Sequence, residues 1–436
     1  GWQFNFRSHK AVGDWQALFG INVRCPHLSW YTMEGESKRD YPASILHQSA
    51  WYKDYNYVET YFARFGEVMA EGRPVCEVLV LNPIESAWIQ CYAGWANWIV
   101  NASPETAVLE EHYSRLFGYL SGRHIDFDYG EEFLMAEHGS AAVENGVPVI
   151  RVGEMSYKVF VVSGALTLRS STVELLERFA SLGGRIVVSG KAPEMIDEKN
   201  SDRFAALCKK YQENIKHVDF TADALEGAVR PELGVTVDIT AGDGGADALF
   251  CQLRECPEDG AAVVAVINTD RDKPRENVKI KVSGIGLFEQ VQEWRLVSGK
   301  RIDVTGDSVI NRDGCIVLNT DFEPCGERVF VLVRERDRSA KVCDTSKPVK
   351  LREGVITGML GYSLDESNAM VLDYVGSRFN GRMLSVNDEV LKADMKIRDA
   401  VGIEHRSGGM LQPWYAKKYA DSEYGELELE YVFYID

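Results

Sequence analysis

His27, Trp30 and Tyr31 stand directly behind a short apolar run, Ile21-Asn22-Val23-Arg24-Cys25. Arg39, Asp40 and His47 follow in a polar, aromatic-rich stretch from Glu34 to Asp54 that also holds Trp51 and Tyr52. This mixture suits one kind of ligand. A sugar ring offers C–H patches that stack on aromatic faces, and its hydroxyls need planar polar partners. Trp30, Tyr31, Trp51 and Tyr52 could supply the platform, and His27, Arg39, Asp40 and His47 the hydrogen bonds. Plainer readings stand beside these. Aromatic clusters are more often simple packing, His27 could be bonded within a rim, and Glu34, Glu36, Lys38, Arg39 and Asp40 could be a solvated charge run. The candidate substrate-binding residues are therefore His27, Trp30, Tyr31, Arg39, Asp40 and His47.

Other chemistries find less footing. Asp126 and Asp128 flank Phe127 at a predicted strand end, where they could hold a cation or ligand or simply be solvated. The first αβ strand runs into Asn82-Pro83-Ile84 rather than a glycine-rich phosphate loop, and a later one ends Val162-Ser163-Gly164 with neither a cysteine nor a GxSxG elbow. Gly183-Gly184 reads as a helix C-cap and turn. No cofactor and no metal site are assigned, and no catalytic residue. The nine cysteines show no CxxC or Cys/His metal spacing, and several sit in apolar runs, as Cys76 and Cys315 do. Buried reduced thiols follow, which favours a cytoplasmic compartment. A net charge of -18 with scattered Lys and Arg argues against nucleic acid. No run approaches the ~18 apolar residues of a membrane span. The chain opens on Gly1 and stops in strand-like Tyr431–Asp436, so both ends are expected to be internal to a longer protein and targeting is not legible.

The elements that must position these residues change character along the chain. Residues 6 to about 20 have helical spacing (Ala11, Trp15, Leu18, Phe19) closed by Gly20, Ile21–Cys25 reads as a short buried strand, and Tyr57–Ala70 is an amphipathic helix. Alternating strands and helices follow: strands Cys76–Leu81, Ile125–Tyr129, Lys158–Val162 and Arg185–Ser189, with helices from about Pro104, over Glu131–Glu137 and over Ser171–Leu182. That pattern predicts an open parallel sheet of flavodoxin-like type. From about 221 short strands dominate (Ala261–Asn268, Val278–Val282, Gln290–Val297, Val329–Val333), which predicts a β-sandwich. Met370–Asp373 and Glu426–Tyr434 are the clearest strands of a last β-domain.

Several strings, kept in order, carry a resemblance: Gly20-Ile21-Asn22, Pro26-His27, Lys38-Arg39-Asp40-Tyr41-Pro42, Trp51-Tyr52, the run Leu79 to Trp88, Asn368 to Asp373 and Gln412-Pro413-Trp414. Together they resemble the C-terminal half of alpha-L-rhamnosidase-like glycoside hydrolases of clan A. Leu79 to Trp88 is similar to the opening of their amidotransferase-like domain, which in turn resembles the trimerisation domain of some beta-galactosidases. The resemblance implies multidomain α/β plus all-β architecture: 1–72 the end of a (β/α)8 barrel, 73–220 a flavodoxin-like domain, 221–340 a β-sandwich and 341–436 the start of a further β-domain. It implies a carbohydrate substrate, and a catalytic carboxylate pair on earlier barrel strands, one of the two shortly before a Gly-Trp like Gly1-Trp2. The intact protein would then be a glycosidase and this portion alone inactive. The alternative is a non-catalytic carbohydrate-binding or assembly fragment. The flavodoxin-like part is expected to be structural and a route to homo-oligomers. Without the missing β/α units, Trp15, Phe19, Phe62 and Phe65 are expected to be left partly exposed as an association-prone patch.

Overall fold

The run Val78-Leu79-Val80-Leu81 is apolar at every position, which a strand carries only when both of its faces are covered. The computed structural model buries all four residues. It describes residues 5–26, 45–46, 49, 51–90, 104–310, 314–335, 341–342, 361, 363, 372, 374–405 and 424–433, in two units divided between Pro348 and Val349. In the first unit, Val78–Leu81 lies inside a five-stranded parallel sheet. Its spatial order is Ile215–Val218, Arg185–Ser189, Val159–Ser163, Val78–Leu81 and Asp128–Gly130. Counted along the chain this is the order 5-4-3-1-2, that of flavodoxin-like sheets. Alternate residues serve opposite faces. Val78, Val80, Val159 and Val161 share a core with Leu116 and Leu120 of helix Pro104–Gly122 and Leu225 and Val229 of helix Ala222–Val229. Leu79, Leu81, Phe160 and Val162 meet Leu176 and Phe179 of helix Ser170–Ser181 on the other side. A three-stranded antiparallel sheet over Gly139–Glu144, Val147–Val152 and Met155–Tyr157 stands where the sequence predicts no strand.

Two further sheets follow. Thr236–Thr240, Arg275–Ser283, Ile316–Phe322 and Ser308–Ile310 form one of four strands; Leu249–Cys256, Ala261–Asn268, Glu327–Val333, Gln290–Arg295 and Lys300–Asp303 are the main strands of one of seven. Ala262, Val264 and Val266 point into a core shared with Ile280 and Leu318 of the smaller sheet. The intervening Val263, Ala265 and Ile267 point the other way, and they need a cover of their own.

That cover is the pair of helices α1 (Phe6–Leu18) and α2 (Asn56–Ala70). Leu18, Phe62, Phe65 and Met69 share one core with Val263, Ile267, Val329 and Val331. Phe62 is therefore buried and Phe65 fully so, against the expectation of an exposed patch. The helical faces were legible, and among the described residues their partner is the outer face of the seven-stranded sheet. Only Trp15 keeps a large exposed surface, at 41%, while Phe19 is half-buried. The second correction concerns Ile21–Cys25, which forms no strand and leaves Ile21, Val23 and Cys25 exposed. An apolar alternation only three side chains long makes a strand when a neighbouring strand supplies its hydrogen bonds, and among the described residues none does.

The two helices cross closely at Gly13, where a Cβ would stand 2.2 Å from the Phe62 ring. Alanine in a helix interior normally gains about 1 kcal/mol over glycine. Here the added methyl overpacks the crossing, at a typical cost of about 1–3 kcal/mol. Gly13→Ala is thus expected to lower stability to chemical denaturation, and a gain in stability would show that the helices do not approach this closely.

In the second unit Arg382–Glu389, Tyr374–Phe379 and Leu427–Glu430 form a three-stranded antiparallel sheet. Helix Val390–Val401 covers one face through Val375, Val390 and Ala393 and ends at Gly402 in the left-handed region. Met370 and Asp373 lie outside the described residues.

Candidate functional site

His27, Trp30, Tyr31, Arg39, Asp40 and His47 all lie outside the described residues. Of the aromatic platform, Trp51 and Tyr52 are described. Trp51 is half-buried, stacks on Tyr55 with ring centroids 5.6 Å apart and takes Phe6 and His9 edge-on at 5.3 and 5.6 Å. This is packing that seats the start of α1 against the turn before α2. Tyr52 is exposed.

One buried polar cluster was barely legible in the sequence, because its members come from three distant segments. Asp14 sits on the buried face of α1, where Tyr61 of α2 donates to its Oδ1 at 2.7 Å and Lys10 to its Oδ2 at 2.5 Å. Lys10 also meets Glu327 Oε2 at 2.5 Å and donates to the Cys325 carbonyl at 2.8 Å. Two carboxylates thus share one ammonium. Burial, and then the Glu327 charge, hold the Asp14 carboxyl up at about 6 despite Lys10, while the two carboxylates raise Lys10. The one sequence signal was the i,i+4 spacing of Lys10 and Asp14 on an otherwise apolar stripe.

Open parallel sheets bind ligands beyond the carboxyl ends of their strands, at the point where the strand order reverses. Here that point lies between Val78–Leu81 and Val159–Ser163, and the protein's own side chains occupy it. Ser86 Oγ accepts hydrogen bonds from the Leu166 and Thr167 amides at 2.9 and 3.3 Å. His112 Nε2 lies 2.7 Å from Ser163 Oγ, and Phe220 stacks on the imidazole with centroids 3.6 Å apart. Gly164, at φ +71°, lets the imidazole approach so closely that a Cβ would meet it at 2.6 Å. Burial lowers the His112 pKa, with help from the Arg115 charge, so the neutral ring can accept from Ser163. A Ser–His pair is the beginning of a nucleophilic site, but Ser163 is only 1% exposed. Asp126 and Asp128 stand at the opposite edge, at the start of strand Asp128–Gly130. Tyr157 donates to Asp128 at 2.8 Å; burial and the Asp128 charge push Asp126 up to about 7. Asp126 lines a cavity of about 30 Å³, room for a water, with Glu77, His124 and Cys251. Among the described residues no three His, Cys, Asp or Glu side chains are grouped as a metal site.

No family model matches the chain, and no curated protein matches it. Solved structures do. A rhamnosidase from Novosphingobium sp. PP1Y aligns over 89% of this chain and 34% of its own, with 15% identity and a TM-score of 0.52. An apo exo-carrageenase from Bacteroides ovatus aligns over 77% of this chain and 40% of its own, with 12% identity and a TM-score of 0.44. An alpha-L-fucosidase isoenzyme from Paenibacillus thiaminolyticus aligns over 76% and 58%, with 10% identity and a TM-score of 0.46. The chain spans about a third of the length of the rhamnosidase, and at this identity the likeness is one of fold: mixed helix and sheet, with a parallel sheet among several, of the kind found in glycoside hydrolases.

Proposed function

We propose that this chain is part of a glycoside hydrolase that removes terminal sugars from glycans, in the manner of a rhamnosidase or galactosidase, with its catalytic carboxylates upstream of Gly1. The observation that carries this reading is the fold likeness to the rhamnosidase over 89% of the chain. In this reading residues 1–72 are the tail of a (β/α)8 barrel docked through α1 and α2 on the seven-stranded sheet. Residues 73–220 form a flavodoxin-like domain that works as a spacer, 221–340 a β-sandwich and 341–436 a further β-domain. His27, Trp30, Tyr31, Arg39, Asp40 and His47 would reach the sugar from the loop beyond a barrel strand.

The chemistry supports placing the catalytic pair elsewhere. Glycosidic hydrolysis sets two carboxyl groups across the sugar, roughly 5–10 Å apart, one of them raised in pKa to protonate the leaving oxygen. Asp14 and Asp126 both have raised pKa values, but Asp14's companion Glu327 is bound to Lys10 and does not line the cleft that Asp14 faces, and Asp126 borders a cavity of only about 30 Å³, room for a water and not for a sugar. Buried Glu132 accepts from the Arg169 amide at 2.7 Å beneath helix Ser170–Ser181. The intact protein is expected to hydrolyse at least one member of a nitrophenyl glycoside panel that includes rhamnosides, galactosides and fucosides. Turnover of none of them would remove the reading.

A further inference from the structure

A cleft of about 250 Å³ opens between the flank of α1 that carries Val12, Asp14 and Trp15 and the end of strand Ala261–Asn268. We propose that it binds a single neutral pyranose residue, stacked on Trp15 and hydrogen-bonded by Asp14 and Arg271. The volume exceeds the 150 Å³ or so that accepts a benzene ring, and it is too small for an extended oligosaccharide. One wall is aromatic and aliphatic. Trp15 is held from behind by Phe19 and Phe117, at 5.2 and 5.9 Å, yet stays 41% exposed, and Val12 beside it is 38% exposed. An aromatic ring that is fixed in orientation and still solvated is what the C–H face of a sugar needs.

The other groups suit hydroxyls. Asp14 lies in the floor, and a carboxylate has about four acceptor sites, of which Tyr61 and Lys10 use two. Thr269 Oγ1 donates to the Ala248 carbonyl at 2.9 Å, so its remaining hydrogen-bonding capacity in the cleft is as an acceptor. Arg271 is exposed at the rim, and among the described residues no hydrogen bond or ion pair engages its guanidinium. Charge decides between neutral and acidic sugars. Asp14 and Glu327 below are balanced by Lys10 and Arg271, so no surplus positive charge is left to offset the desolvation of a sugar carboxylate or sulfate. The sugar is therefore neutral.

This site is independent of hydrolysis, so it stands or falls apart from the glycosidase reading. The test is a tryptophan-fluorescence and saturation-transfer titration of the 436-residue chain with methyl α-L-rhamnoside, methyl β-D-galactoside and methyl β-D-glucuronide. At least one neutral glycoside is expected to bind saturably in the millimolar range, as a single sugar ring contributes little area, and the glucuronide about tenfold more weakly or not at all. Trp15→Ala is expected to weaken binding about tenfold, and Arg271→Ala, a surface change that leaves the core intact, severalfold. No saturable binding of either neutral glycoside up to about 100 mM would overturn the proposal. So would unchanged affinity in both variants, or a preference for the glucuronide.

Discussion

Phe65→Ala is expected to lower the unfolding free energy of the first unit by about 3–5 kcal/mol. Phe65 is fully buried where α2 meets the seven-stranded sheet, and Tyr61 lies edge-on to it at 6.2 Å. Removing the ring deletes its transfer energy and leaves a cavity between a helix and a sheet, two rigid surfaces that close poorly over a void. A domain is stable by only about 5–15 kcal/mol, so the loss is a large share of the total. Urea denaturation followed by tryptophan fluorescence measures it. A change under about 1 kcal/mol would mean that α2 is not seated on the sheet as described.

Lys10→Met is the second large effect, with an expected loss of about 3–5 kcal/mol at neutral pH. The substitution leaves Asp14 and Glu327 facing each other without their shared cation in a site where Asp14 is 2% exposed. The loss shrinks on acidification, because a protonated Asp14 no longer needs a counter-ion. The pH dependence of the wild type has two opposed parts in one window. Asp14 has a folded value of about 6, above the roughly 3.9 of an unfolded aspartate, so its contribution is fully present below about 4 and is lost as pH rises through 6. His9, buried among Trp51 and Tyr55, has a folded value of about 4, below its unfolded value near 6.5. Its contribution is present above 6.5 and is lost as pH falls through 4. Asp14→Asn removes the first part alone. Its melting temperature is expected to fall more steeply than the wild type's between about pH 6 and 4. Parallel curves would contradict the assignment of the Asp14 shift.

Much of this architecture was written locally. Val78–Leu81, Ala261–Asn268 and Arg185–Ser189 were legible because burial on both faces makes a strand apolar throughout. Helices α1 and α2 were legible through their apolar stripes and, at Gly20, through a glycine at φ +92°. Periodicity tells which face is buried and not what buries it. Phe62 and Phe65 were therefore expected to be left partly exposed, while their cover comes from α1 and from sheet residues between 256 and 331. The strand Ile215–Val218 was missed because it lies at the sheet edge with Lys216 and His217 exposed, and so carries little apolar signal. Gly139–Tyr157 was missed for a similar reason, since its three strands bury few positions. Ile21–Cys25 had the right residue types and no partner strand. The Lys10–Asp14–Glu327 cluster spans 317 residues between Lys10 and Glu327, and only a folded chain brings such groups together.

The proposal that the catalytic carboxylates lie outside these 436 residues is tested most directly by one comparison. The same nitrophenyl glycosides are offered to this chain alone and to the intact protein at equal concentration, and released nitrophenol is followed. Turnover by the intact protein with none by the chain is the predicted result. Turnover by the chain itself would contradict the account and turn attention to Asp14, whose raised carboxyl pKa, at about 6, already suits a general acid.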